Sequence, residues 1–70
     1  MDWISTPESS NIARFCYDEA AQVLTVEFNR GGTYNYYDVP AHIFEQMKVA
    51  PSKGGFLAQS VKGVYRYARV

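Results

Sequence analysis

The sequence predicts a single α+β domain: a three-stranded antiparallel β-meander followed by two short α-helices packed on one face, with a short C-terminal strand left open. Three observations predict it. Residues 24–37 alternate apolar and polar side chains about a glycine turn, the period that sends successive side chains to opposite faces of a sheet. Residues 43–50 change to helical spacing. Proline, serine and glycine then punctuate the chain at 51–55 and at 63, where helices start and stop.

The hairpin carries the strongest signal. Leu24, Val26 and Phe28 share one face, and Thr25 and Glu27 take the other. Beyond the turn at Asn29–Gly32, Tyr34 and Tyr36 again lie two apart, on the side of the apolar set. Gly31 and Gly32 are able to supply the positive φ angles such a loop needs. Facing aromatic and aliphatic side chains across the ladder contribute about 0.2–1 kcal/mol per pair.

Before the hairpin, Ile12 to Tyr17 reads as the first strand, with Ala13, Phe15 and Tyr17 toward the core and Ile12, Arg14 and Cys16 on the other face. Asp18 opens the following turn, where its carboxylate is suited to accept from the backbone ahead. Residues 1–8 read as a flexible N-terminal arm, because the polar run around Pro7 lacks periodicity. Within it, Trp3 and Ile4 either fold back onto an apolar groove or stay exposed as a contact point.

After the hairpin, Pro40 fits the first turn of a helix, where its missing N–H costs nothing. Ile43, Phe44, Met47 and Ala50 form the stripe that docks on the sheet, and Pro51 ends the element. Ser52 is an N-cap candidate for a second helix reaching Lys62, with Phe56, Leu57, Ser60 and Val61 inward. Glycines inside a helix cost about 1 kcal/mol each relative to alanine, so Gly54 and Gly55 point to close approach by the neighbouring helix or by a bound group. Gly63 suits a left-handed helix stop. Val64 to Val70 alternates again and is either an edge-type strand or an ordered tail.

Composition excludes several function classes. At 70 residues, 47% apolar and 16% aromatic, the chain supports one packed core without staples. One cysteine, Cys16, permits no intrachain disulfide, and with His42 the only histidine it cannot build a zinc knuckle. No apolar run approaches the ~18 residues of a membrane span, and the first four residues lack a basic, apolar leader. The expected setting is therefore cytoplasmic, without a membrane partner. Gly31-Gly32 is hairpin punctuation and Gly54-Gly55 lacks the phosphate-loop pattern. A Cys16–His42 nucleophile pair is formally conceivable, but nothing in the sequence joins them. No enzyme activity, cofactor or metal is expected.

Charge is unevenly spread. Residues 1–45 hold all seven acids against Arg14 and Arg30, five net negative charges, whereas residues 46–70 hold five cations and no acid. Either the two halves attract one another within the fold, or the basic third meets an anionic partner. Aromatic rings that stack on unpaired bases, with cations between them for phosphates, make an RNA surface. The residues placed to do this are Tyr37, Tyr65 and Tyr67 for stacking, and Lys53, Lys62, Arg66 and Arg69 for phosphates. Tyr34 and Tyr36 are assigned to the core. A pI near 6.5 lies below the usual range of nucleic-acid domains. The rival is a protein-interaction adaptor that uses Trp3, Ile4 and exposed tyrosines. The oligomeric state stays open.

The order Ser9-Ser10-x-Ile12, Tyr17-Asp18, Leu24-x-Val26-x-Phe28, a glycine turn, Tyr34-x-Tyr36-x-x-Val39-Pro40, then Ala50-x-Ser52 with the paired glycines resembles the KTSC domain over residues 9–67, leaving 68–70 as a tail. That domain takes its name from the carboxyl-terminal extension of some lysyl-tRNA synthetases and also occurs alone in small bacterial and phage-related proteins. Tyr34 and Tyr36 match its central YxY mark. The resemblance implies a non-catalytic module with RNA as a suggested ligand, and it supplies no residue roles to carry over. Family members commonly have aromatic-polar residues where this chain has Phe56-Leu57-Ala58, a departure that favours packing or a protein contact there.

Overall fold

The central hairpin forms as its alternation requires. A computed structural model describes residues 2–70. In it, strands β1 (Ile4–Ser5), β2 (Ile12–Asp18), β3 (Val23–Phe28), β4 (Gly32–Tyr36) and β5 (Tyr67–Arg69) form one antiparallel sheet in sequence order, and helices α1 (Ala41–Val49) and α2 (Lys53–Ser60) lie between β4 and β5 in the chain. Leu24 pairs with Tyr36, Val26 with Tyr34 and Phe28 with Gly32. The expected α+β meander followed by two helices is present, and the open C-terminal element is a strand. Only Gly32 takes a positive φ, at 86°, so one glycine of the pair, not both, meets the turn's conformational demand.

Phe15, Leu24, Val26 and Tyr36 on the sheet pack with Val39, Met47, Leu57 and Val61 in one buried cluster. Phe44 of α1 meets Phe15 edge-on at 5.9 Å and stacks on Tyr17 at 5.0 Å. Ile12 joins this core, which corrects its assignment to the opposite face. The register explains why: Ile12 pairs with Phe28 but Arg14 pairs with Glu27, so Ala13 is an extra residue in β2. A bulge of this kind resets the alternation, and Ile12 turns inward together with Phe15 and Tyr17. The bulge has its own partner, since the Ala13 carbonyl accepts from Thr6 N–H at 3.1 Å.

Within the segment read as a flexible arm, Ile4 pairs with Phe15 and packs against the core. Trp3 lies beneath the Arg14 guanidinium, 4.0 Å from the ring centroid, and is part-exposed. Ile4 folds back onto the core, whereas Trp3 stays exposed beside Arg14, so the two residues divide between the alternatives.

Helix ends follow local chemistry. Pro40 is the N-cap of α1 in extended conformation and not its first helical residue. The Ser52 hydroxyl accepts from Gly55 N–H at 3.0 Å and caps α2. That helix stops at Ser60, short of Lys62, and Gly63 follows in the left-handed region at φ 78°. The helical glycines do not face α1. A Cβ at Gly54 would meet Asn11 at 3.7 Å, and one at Gly55 would meet the Ser52 hydroxyl at 3.0 Å.

Candidate nucleic-acid interface

Two short helices cannot cover five strands. The helices share one buried cluster with β2, β3 and β4, through Phe15, Val26 and Tyr36, whereas Phe28, Tyr34 and Tyr67 stay part-exposed. Phe28, Tyr34, Tyr36 and Tyr67 line the groove this leaves, a cavity of about 550 Å³. Their rings form a continuous set: Phe28 and Tyr34 lie 5.7 Å apart, Tyr34 and Tyr67 5.8 Å, Tyr36 and Tyr67 5.9 Å. Arg30 and Lys62 complete the lining together with Asn11, Gly31 and Gly63, and no acidic residue lines the groove. The Lys62 ammonium sits 5.4 Å from the Phe28 ring centroid. Burial, then the neighbouring Tyr34 and Tyr67 hydroxyls, push the Tyr36 phenol above the usual tyrosine range, so it stays neutral and able to donate.

A second cavity of about 590 Å³ adjoins the first and shares Gly63 and Tyr67 with it. Tyr37, Tyr65 and Arg66 line it with Val64 and Ala68. The Arg66 guanidinium lies 5.4 Å from the Tyr37 ring centroid and pairs with Asp38 at 3.0 Å, both side chains 75% exposed. Among the described residues this ion pair is the one that ties the C-terminal extension to the acidic half of the chain.

Five of the seven residues proposed from the sequence thus line two joined cavities: Lys62 and Tyr67 in the first, and Tyr37, Tyr65, Arg66 and Tyr67 in the second. Lys53 and Arg69 do not. Lys53 donates to the Ala50 carbonyl at 2.8 Å, ending α1, and borders a polar cavity that also contains Glu8. Arg69 folds over the hairpin turn, where a Cβ on Gly32 would come within 2.9 Å of its Nε.

Sequence reasoning missed Phe28, Tyr34 and Arg30. It placed Phe28 and Tyr34 in the core, and both are only half-buried. A signal was available: the inward set on three strands is larger than the apolar stripes of helices of nine and eight residues are able to cover.

The remaining chemistry is sparse. Cys16 is 1% exposed, and burial raises its thiol pKa, the reverse of an activated nucleophile. His42 is exposed on α1, over the core face, while Cys16 points to the other face of the sheet. Among the described residues no group of three or more His, Cys, Asp or Glu is placed to hold a metal ion, and no helix is long and apolar enough to cross a membrane.

The model of the KTSC domain matches residues 8–70. The chain belongs to the KTSC domain family. Lysine–tRNA ligases of Nostoc punctiforme and Trichormus variabilis are each 38% identical to this KTSC chain over 64 residues, which is 91% of the chain but 11% of each ligase. A protein of Tsukamurella paurometabola is 42% identical over 59 residues, covering 84% of this chain and 88% of that one. The crystal structure of a KTSC domain protein from Yersinia pestis superposes with a TM-score of 0.94 at 29% identity, over 99% of this chain and 96% of the other. The five-strand, two-helix arrangement is therefore shared by a KTSC protein of nearly the same length.

Proposed function

We propose that this KTSC domain is a non-catalytic module that binds single-stranded RNA in the cytoplasm, seating unpaired bases in the aromatic groove. The observation that carries this reading is the groove's lining: four aromatic rings with Arg30 and Lys62 and no acid. A base offers a flat π-face to Tyr67, which is 62% exposed, and base–aromatic stacking contributes about 1–3 kcal/mol per base. The two cations meet the phosphate attached to it. Relatives named lysine–tRNA ligase lend support, since such an enzyme's name specifies an RNA. The adaptor reading has less to use. Ile4 is packed on the core and Trp3 is held under Arg14, so they form no joint exposed patch.

Fluorescence anisotropy with labelled single-stranded and transfer RNA tests the proposal. Binding is expected at 50 mM salt and weakens several-fold at 200 mM, because each phosphate contact on a single strand releases counterions with a slope of about −0.7. No anisotropy change with about 100 μM protein at the lower salt, an affinity already as weak as non-specific binding, overturns it.

A further inference from the structure

The groove and its neighbour are not separate features. They meet at Gly63 and Tyr67, which line both. A Cβ placed on Gly63 would have no heavy atom within 4 Å, so the divide between them is open. The groove, at about 550 Å³, lies within the roughly 300–1,000 Å³ typical of a small-ligand site, the second is a shallower and more open surface, and each has its own aromatic rings and cations. The groove offers Tyr67 with Lys62 and Arg30, and the second cavity offers Tyr37 and Tyr65 with Arg66. No acid lines either one. Asp38, which pairs with Arg66, is solvent-exposed, and exposed pairs of this kind are readily exchanged.

We infer that the two cavities are successive nucleotide subsites on one RNA strand, which crosses the β5 edge over Gly63 with Tyr67 between the two bases. This rests on the RNA reading above and adds a minimum length and a path to it. Ring spacing decides how the bases are held. Tyr34, Tyr36 and Tyr67 lie 5.8 and 5.9 Å apart, within the range of rings already in contact, so no base slides between them. A base stacks on the outward side of Tyr67, and its 3′ or 5′ neighbour continues to Tyr65 and Tyr37. The phosphate joining them passes Gly63, flanked by Lys62 and Arg66. Arg66 holds the second nucleotide and has no part in binding the first.

Isothermal titration of the intact chain with 5′-phosphorylated oligoadenylates of one, two, three, four and six nucleotides at 50 mM salt tests this. Affinity should rise by about ten-fold or more from one nucleotide to two, because the second site is filled intramolecularly, and level off beyond about three. Arg66→Ala should weaken the dinucleotide several-fold and leave the mononucleotide unchanged, while Lys62→Ala weakens both. Lys48→Ala, at an exposed position on α1, should alter neither. With three cations engaged, a four-fold rise in salt should weaken the hexanucleotide about 20-fold; with the groove's two alone, about 7-fold. Equal affinity for one and two nucleotides, or an Arg66→Ala effect that is absent or the same for both lengths, overturns the two-subsite path and leaves the RNA reading in place. Failure of even the hexanucleotide to bind removes both.

Discussion

Tyr17 and Val39 are joined at the margin of the core: the Tyr17 hydroxyl donates to the Val39 carbonyl oxygen, 22 residues along the chain, and the same ring stacks on Phe44. One side chain thereby fixes the segment that carries the chain from β4 into α1, just before Pro40. Tyr17→Phe keeps the stacking and removes the donor. Urea unfolding should show a loss of about 1 kcal/mol, approaching 3 kcal/mol if the carbonyl is left without a partner. The denaturant slope should not change, since the buried surface is the same. An unchanged midpoint would mean that the bond contributes nothing.

The two helical glycines should answer differently to alanine. At Gly54 the new methyl makes an ordinary contact with Asn11 at 3.7 Å, so the helix-propensity gain of up to about 1 kcal/mol is realised and the melting temperature rises. At Gly55 the methyl comes within 3.0 Å of the Ser52 hydroxyl, the group that caps the helix. Disturbing that cap costs about 1 kcal/mol, so Gly55→Ala should be neutral or destabilising. Equal melting temperatures for the two variants would contradict the cap's role.

Stability should fall at alkaline pH. Burial raises the Cys16, Tyr17 and Tyr36 pKa values, so above the unfolded thiol's pKa of about 8.5 the folded chain holds more protons than the unfolded one. The slope of unfolding free energy with pH is then negative. Stability is fully present below about pH 8.5 and is lost as pH rises through and beyond about 10, where free tyrosine ionises. Urea midpoints at pH 7, 9 and 10.5 should decline in that order, and Tyr36→Phe should flatten the upper part. A constant midpoint over that range would contradict this.

Cys16 should be chemically silent in the folded state. Its side chain is enclosed and its thiolate disfavoured, and reactivity follows thiolate fraction and access. Alkylation by iodoacetamide at pH 8 should be slow in buffer and fast in 8 M urea. Rapid modification of the native chain would place this thiol at the surface.

What could be read from the sequence depended on where alternation was regular. Leu24, Val26 and Tyr36 obey a strict period of two and fell on the core side as expected. Ile12 did not, because one extra residue at Ala13 reverses the parity of everything before it, and a bulge leaves no trace in an apolar–polar pattern. Ile4–Ser5 is too short a strand to show any period. The candidate site was half legible: Tyr67 and Lys62 carried the aromatic and cationic signal, whereas Phe28 and Tyr34 look like core residues by alternation. What leaves them open is the extent of two helices over five strands, a tertiary quantity.

The groove's central ring gives the sharpest test of the proposed base contact. Tyr67 is 62% exposed on the edge strand, so replacing it disturbs the core little, and its hydroxyl is not what stacks. Tyr67→Phe should bind single-stranded RNA as the parent chain does. Tyr67→Ala should lose about 1–3 kcal/mol, a weakening of roughly five- to 150-fold in anisotropy titrations, with near-unchanged urea unfolding. Equal losses for both variants would show that the hydroxyl and not the ring makes the contact. If neither variant alters binding, the RNA lies on another face of the sheet and the groove has a different occupant.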